Sequence, residues 1–140
     1  IRRQRQMCIR DRKQRLALWR ANAVQSMTAD KAHRLGIRIS RICAWGTSRL
    51  AFDGSGRVLR GKESEKTAGN YSVCEFRNGK IYNCDLNASY NIGARYFIRE
   101  LLKTVPVTEQ QGILAKVPGC SKRSTCTLSD LISLNAVLCA

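Results

Sequence analysis

Apolar residues recur at helical spacing through residues 13–35. The positions that carry this pattern are Leu16, Trp19, Ala23, Val24 and Met27. Steps of three and four residues place them on one side of an α-helix, which predicts a helix with one buried face. Gly36 predicts the end of this helix, because glycine readily takes the left-handed conformation that follows many helix C-termini.

Residues 37–45 carry the next apolar pattern, a short run rich in β-branched side chains. Its apolar members include Ile37, Ile39, Ile42 and Cys43. β-Branched residues are enriched in strands, so this run predicts a buried or half-buried strand that enters a sheet. A helix that leads into a strand indicates an α/β fold.

Two turn signals with apolar flanks follow the predicted strand. Asp53-Gly54 and Asn78-Gly79 each offer the positive φ angle of a tight return, so we predict two small β-hairpins. The segment 61–70 between them is polar, bounded by glycine and without a periodic apolar pattern, which predicts a mobile loop.

Helical spacing returns in residues 88–103, where we predict a second long helix. Its broad apolar stripe contains Ile92, Tyr96, Phe97, Leu101 and Leu102, and a separate line contains Arg95, Arg99 and Lys103. Residues 104–125 contain both prolines of the chain and little periodicity, which indicates a connector. Thr127 and Asp130 resemble a capping box, so a short last helix should begin there and dock a small apolar face.

The first residues need a separate interpretation. Residues 7–12, Met-Cys-Ile-Arg-Asp-Arg, resemble an in-frame translation of a sequencing-library adapter, so we interpret residues 1–12 as an artefact. The alternative is a basic arm that contacts phosphates. Because Ile1 comes first, we expect a piece of a longer protein. Residues 13–103 would form its main segment, and residues 104–140 a loosely attached tail.

The net positive charge of the chain favours polyanionic partners. The chain has 25 Lys and Arg against 10 Asp and Glu, a formal net charge of +15, and such a field attracts polyanions such as nucleic acid. No apolar run approaches the ~18 residues of a membrane-spanning helix, and no signal segment opens the chain. We therefore expect a cytoplasmic, nucleoid-associated prokaryotic protein without a membrane partner.

Several arginines are candidates for contact with phosphates. We predict this role for Arg15, Arg20, Arg38, Arg41, Arg95 and Arg99. Trp19, Trp45 and Tyr96 lie near them in sequence and would allow occasional base stacking. The alternative is a solvated basic face with buried aromatic residues.

The seven cysteines are odd in number and irregularly spaced, which argues against a secreted disulfide framework and indicates reduced thiols. None of their pairs has the two-residue gap of a zinc knuckle. Cys74 could still pair with Cys84 across the second predicted hairpin, although a reducing compartment disfavours it.

One carboxylate lies at the predicted mouth of the late helix. Asp85 belongs to the run 82–92, Tyr-Asn-Cys-Asp-Leu-Asn-Ala-Ser-Tyr-Asn-Ile. Residue physics alone favours a helix cap, because an aspartate there accepts backbone N–H bonds and meets the positive end of the helix dipole. Asn87 could share that task.

The same run resembles the Asp-x-Asn-Ala-Ala-x-Asn-Ile signature of the TnpB/OrfB family of insertion-sequence proteins, with Ser89 in place of the second alanine. These proteins are RuvC-like nucleases related to type V CRISPR effectors. Residues 44–48, Ala-Trp-Gly-Thr-Ser, also resemble the strand-end segment that precedes the family's zinc ribbon. The resemblance covers residues 13–103 and implies a partial ribonuclease-H-like (RuvC) α/β element.

In that family the aspartate that matches Asp85 is the last acidic ligand of a site where carboxylates hold two divalent metals. The resemblance therefore implies a catalytic and metal-binding role for Asp85, with Mg²⁺ as the metal. That role requires upstream carboxylates, which nothing in this chain matches. One carboxylate cannot assemble the site, so the fragment alone is not expected to cut DNA.

The family also carries two Cys-x-x-Cys knuckles. The first pair would fall near Ala51 and Gly54, and the second near Cys74 and Arg77, so one of the four ligands remains. We therefore expect no zinc binding and expect the two hairpins to close without metal.

The parent protein that the resemblance implies is an RNA-guided DNA endonuclease, often described as a transposase, with DNA and a guide RNA as partners. This chain would be its C-terminal fragment and would bind nucleic acid nonspecifically. One alternative is a nonenzymatic basic nucleic-acid-binding module in which Asp85 is only a cap. The other is a decayed transposase remnant that makes no functional protein.

Overall fold

The computed structural model describes residues 2–67 and 69–140. The chain divides into two compact units, Ile1–Arg41 and Ile42–Ala140. The described residues combine α-helices with a three-stranded antiparallel sheet, which confirms a mixed α and β composition. The predicted boundary between residues 103 and 104 falls inside the second unit.

The first unit is built on one long helix, α1, which spans Arg2–Arg34. The chain turns after it at Gly36, where φ is 68° and the N–H of Ile37 donates to the carbonyl of Ala32 at 2.9 Å. This confirms the predicted helix and its glycine terminus, and the helix also includes residues 2–12.

The apolar side of α1 is not buried, which corrects the sequence prediction. Trp19 is 68% exposed and Met27 is 70% exposed, and Leu16 and Val24 are also exposed. Helical spacing reports that apolar residues share a side, but burial requires a second element to pack against that side. Among the described residues of the first unit, α1 is the one regular element.

Residues 37–45 form no strand, so that prediction is also wrong. Ile37 and Ile39 are exposed. A strand requires a hydrogen-bonded neighbour, and none of the described residues pairs with this run. The carbonyls of Cys43 and Trp45, which lie in the second unit, instead accept hydrogen bonds from the Arg95 side chain of the same unit.

The second unit begins with the small sheet. Its strands are β1 (Leu59–Arg60), β2 (Val73–Glu75) and β3 (Ile81–Asn83), in the order β1-β2-β3 with antiparallel pairing. The turn between β2 and β3 contains Gly79 with φ of 81°, which confirms the second predicted hairpin. The first predicted hairpin is a tight return at Gly54 closed by a single bridge between Leu50 and Arg57.

The hairpins enclose a first hydrophobic core. Its buried members are Ala51, Val58, Cys74, Phe76 and Cys84. The rings of Phe52 and Tyr82 pack against it, and the Phe52 ring lies 5.5 Å from that of Phe76 and 5.1 Å from that of Tyr82, both edge to face. Such edge-to-face pairs stabilise the fold beyond the burial of apolar area, so these aromatic contacts help to hold the small sheet together.

The segment predicted as a mobile loop is anchored where the structure describes it. It contains two 3₁₀ turns, Gly61–Glu63 and Glu65–Thr67. The hydroxyl of Thr67 donates to the carbonyls of Gly61 at 2.6 Å and Ser64 at 2.9 Å, and all three residues are buried. The polar composition that indicated a loop therefore supplies internal hydrogen bonds.

Helices form the rest of the second unit. They are α2 (Cys84–Thr104), α3 (Val107–Lys116) and α4 (Leu128–Cys139), with a 3₁₀ turn at Pro118–Ser121. The predicted connector thus contains a helix. The capping box is confirmed, since the N–H of Thr127 donates to a carboxylate oxygen of Asp130 at 2.8 Å.

A second hydrophobic core joins α2, α3 and α4. Its buried members are Ile98, Val117, Cys120, Cys126 and Leu134. Leu134 of α4 is fully buried, so the tail predicted to be loosely attached is packed. The apolar side of α4 packs against the Ile98 side of α2, so the predicted docking of the last helix is confirmed and the predicted loose attachment is wrong.

Candidate functional site

The start of α2 is the candidate site, and Asn83 caps it. The side-chain oxygen of Asn83 accepts hydrogen bonds from the N–H groups of Asp85 at 2.9 Å and Leu86 at 3.0 Å. The residue that caps the helix is therefore Asn83, and the interpretation of Asp85 as the N-cap is wrong. Asn87 takes no part in the cap either.

Asp85 occupies the first turn of α2 and is exposed. Its side chain makes no hydrogen bond or ion pair with residues 2–67 or 69–140. Its charge lies near the positive end of the helix dipole, a placement that stabilises an exposed helix only modestly. The carboxylate is thus open to solvent and available to an external ligand.

Below Asp85, α2 buries polar side chains. Asn87, Asn91 and Arg95 follow one another at four-residue steps on one face of the helix, and their exposures are 0%, 0% and 5%. Buried polar groups require hydrogen-bond partners. The predicted apolar stripe is right only in part, since Leu101 and Leu102 pack against the second core while Ile92 and Phe97 lie on exposed sides.

The two asparagines share the same pair of backbone acceptors. The amide nitrogen of Asn87 donates to the carbonyls of Thr47 at 3.2 Å and Leu50 at 2.8 Å. The amide nitrogen of Asn91 donates to the same carbonyls at 2.9 Å and 2.7 Å. Each carbonyl oxygen has two lone pairs, so both can be filled.

Each asparagine also accepts one bond from a backbone amide. The side-chain oxygen of Asn87 accepts from the N–H of Phe52 at 2.9 Å, and that of Asn91 from the N–H of Leu128 at 3.3 Å. The helix is therefore bound both to the segment before the first hairpin and to the start of α4. We call Asn87, Asn91 and Arg95 the polar clamp.

Arg95 is the third member of the clamp. Its guanidinium donates to the carbonyls of Cys43 at 2.7 Å, Trp45 at 2.8 Å and Cys126 at 3.2 Å, and also to that of Ser124. Burial lowers its pKa from the ordinary value. Because it is buried and engaged with four carbonyls, the prediction that Arg95 contacts phosphates is wrong.

The clamp brings together the two sequence segments on which the resemblance depends. Thr47 belongs to the run 44–48, and its carbonyl is bound by Asn87 and Asn91 of the run 82–92. Asn87 and Asn91 follow Thr47 by 40 and 44 residues in the chain. The two runs are distant in the sequence and in direct contact in the structure.

The remaining arginine candidates are distributed over both units. Arg15 and Arg20 are exposed on α1, and Arg38 and Arg41 are exposed after it. In the second unit Arg99 is half-buried, with its guanidinium 3.2 Å from a carboxylate oxygen of Glu100 and 5.7 Å from the centre of the Tyr96 ring. The first unit therefore holds four exposed candidates.

The described residues contain no group of three or more His, Cys, Asp or Glu side chains that could hold a metal ion. Of the four knuckle positions, Ala51 and Cys74 lie in the first hydrophobic core. Burial, followed by the adjacent Cys84 thiol, raises the pKa of Cys74 to about 12, which keeps this thiol protonated at neutral pH.

Comparison with known proteins finds no matching family model, no matching curated protein and no matching solved structure. Among the described residues, no helix is long and apolar enough to cross a membrane.

Proposed function

We propose that this chain is the C-terminal part of a TnpB/OrfB-type transposon protein. In the complete protein, Asp85 would supply the last acidic ligand of a RuvC-like, metal-dependent DNA endonuclease site. The observation that carries this proposal is a carboxylate without a structural partner, on a helix whose backbone is tightly held. Catalytic groups need this combination of a free functional atom and a fixed support.

The side chains described here do not by themselves fit a pair of magnesium ions. Such a pair needs several oxygen ligands, and near Asp85 the described residues supply no acidic cluster. No cleavage step is assigned to this chain alone. Its own contribution is to position Asp85 through the Asn83 cap and the polar clamp.

Nucleic-acid binding is the second part of the proposal. Support comes from the net charge of +15 and from exposed arginines of the first unit, among them Arg15 and Arg20. Cations of this kind bind the phosphates of DNA or RNA without reading sequence. In an RNA-guided enzyme the guide would supply the sequence recognition.

The decisive test is Asp85→Asn in the complete protein. We expect DNA cleavage to be abolished while the urea midpoint of unfolding changes little, because the side chain loses only its modest interaction with the helix dipole. Glu109→Gln is a matched control, since Glu109 is also an exposed acid in the first turn of a helix. Normal cleavage by the Asp85→Asn variant would show that Asp85 is not a metal ligand and would leave this chain with only a basic nucleic-acid-binding role in the complete protein.

Binding is tested on the chain itself with a fluorescent single-stranded DNA over a range of salt concentrations. Replacing Arg15 and Arg20 by Gln should weaken binding and reduce the salt-dependence slope by about 1.4, if each contacts one phosphate. Replacement of Arg49 and Arg57 is the control, because both already pair with Glu63. Equal effects of the two double variants would contradict a specific role for α1.

A further inference from the structure

The last turns of α1 carry an apolar cleft on the surface of the first unit. Its apolar wall contains Val24, Met27, Leu35 and Ile37, its rim includes Lys31, and its volume is about 460 Å³. The four apolar side chains are each more than half exposed. Contiguous apolar surface of this kind on a folded chain marks a binding surface for another molecule.

The end of α1 gives the cleft its shape. After Gly36, whose φ is 68°, the N–H of Ile37 donates to the carbonyl of Ala32 at 2.9 Å. The N–H of Gly36 donates to the carbonyl of His33 at 3.0 Å. This helix terminus turns the chain so that Ile37 lines the same cleft as Ala32. An occupant would therefore meet a surface that is already formed, which lowers the entropy cost of binding.

The spacing of the cleft residues fits a helical occupant. Val24, Met27, Lys31 and Leu35 follow one another at steps of three and four residues, so they form one line along the helix. From Val24 to Leu35 this line is about 16 Å long, or three helical turns. An amphipathic helix covers such a line with side chains spaced at i, i+4 and i+7.

The charge of the surface selects the occupant. Lys31 lies between Met27 and Leu35 in the line, and it makes no hydrogen bond or ion pair with the residues that the structure describes. One acidic residue, Asp30, is present in residues 13–34. The basic residues of this stretch are all exposed, and they are Lys13, Arg15, Arg20, Lys31 and Arg34. Such a surface repels a second copy of itself and attracts an acidic segment.

We propose that this cleft binds an acidic amphipathic helix of a partner protein. The apolar side chains of the partner lie beside Met27 and Leu35, and one of its carboxylates pairs with Lys31. Burial of apolar area supplies most of the affinity, and the charges select the partner and speed its association. This binding site does not depend on the proposed nuclease function.

The probe is a fluorescein-labelled synthetic peptide of about 18 residues, with leucine at i, i+4, i+7 and i+11 and glutamate at the flanking positions. Its binding to the full chain is measured by fluorescence anisotropy. A scrambled peptide of the same composition and charge spreads its leucines around the helix. We expect the scrambled peptide to bind about tenfold more weakly, because it cannot place its leucines in the cleft.

Two substitutions test the apolar and the charged contact separately. Leu35→Ser should weaken binding of the probe about tenfold and leave the helix content by circular dichroism unchanged, because Leu35 is exposed in the free chain. Lys31→Gln should weaken it about threefold. Val107→Ser and Lys116→Gln are matched controls on α3, since Val107 is exposed and Lys116 is an exposed lysine in the last turn of that helix, and neither should change binding.

The position of the bound peptide is read from the methionines. The chain has two, Met7 and Met27, so labelling of the methionine methyl groups with ¹³C gives two signals, and that of Met27 should shift on binding.

Four results would overturn the proposal. Equal binding of the scrambled peptide would show attraction of any polyanion. A dimer of the free chain that Leu35→Ser abolishes would assign the cleft to a second copy. Binding to phosphatidylglycerol vesicles that Leu35→Ser weakens, without binding of the probe, would assign it to a membrane surface. A Met27 signal that does not move in the presence of bound probe would place the peptide elsewhere.

Discussion

The shared acceptors of Asn87 and Asn91 predict that their contributions to stability are not additive. Asn87→Ala removes two bonds to the carbonyls of Thr47 and Leu50, but Asn91 still donates to both. In Asn91→Ala, Asn87 likewise still donates to both carbonyls. Each single substitution therefore leaves both carbonyls with one donor, and only the double variant leaves them with none.

The magnitude follows from the groups that are orphaned. Asn87→Ala leaves the N–H of Phe52 without its acceptor, and Asn91→Ala does the same to Leu128. An unsatisfied group in the interior costs about 1–3 kcal/mol, so each single variant should lose about 2 kcal/mol of unfolding free energy. At the same value of about 2 kcal/mol per group, the double variant orphans two further carbonyls and should lose about 4 kcal/mol more than the sum.

The assay is a double-mutant cycle in which urea unfolding of the four proteins is monitored by circular dichroism and by amide hydrogen exchange. A stabilising osmolyte should be present, because the double variant approaches the ~5–15 kcal/mol stability of an ordinary domain. Asn135→Ala is the control, since Asn135 is an exposed asparagine on α4. Additivity within about 0.5 kcal/mol would refute the shared-acceptor reasoning.

Three further predictions test other contacts of the second unit. Thr127→Ala should lower the unfolding free energy by about 1 kcal/mol in urea titrations, because it removes the hydroxyl of the capping box. Phe76→Ala should cost about 3–5 kcal/mol in the same assay, because Phe76 is 1% exposed in the first core. Glu75→Gln should flatten the acid side of the stability profile. Lys66 and Ser64 lower the pKa of Glu75, so its stabilisation is present above the ordinary value of 4.5 and is lost as the pH falls below it. Urea midpoints between pH 6 and pH 3 should fall more steeply in the wild type.

Features determined by short-range geometry were predictable from the sequence. Gly36 ended α1, Gly54 and Gly79 formed tight returns, and Thr127 with Asp130 formed a capping box. Each of these depends on the backbone conformation or hydrogen bonding of a few neighbouring residues. The corresponding residue types therefore carry the signal wherever the rest of the chain lies.

Features determined by distant partners were not predictable in the same way. Residues 37–45 have the composition of a strand, yet strand formation depends on a neighbour that the described chain does not supply. Apolar spacing found the buried side of α2 at Leu101 and Leu102 but missed it in the first half of the helix. The signal was present in polar residues, Asn87, Asn91 and Arg95, which repeat at four-residue steps.

Two asparagines of the polar clamp, Asn87 and Asn91, are also positions of the family signature. Both are fully occupied in binding Thr47, Leu50 and two backbone amides. These hydrogen bonds are a sufficient structural reason for asparagine at both positions. The two residues are therefore evidence for the fold and not for a catalytic role. Asp85 has no such occupation, because Asn83 performs the capping. The catalytic proposal therefore rests on one side chain, and substitution of Asp85 separates the loss of chemistry from the loss of structure that substitutions in the clamp would cause.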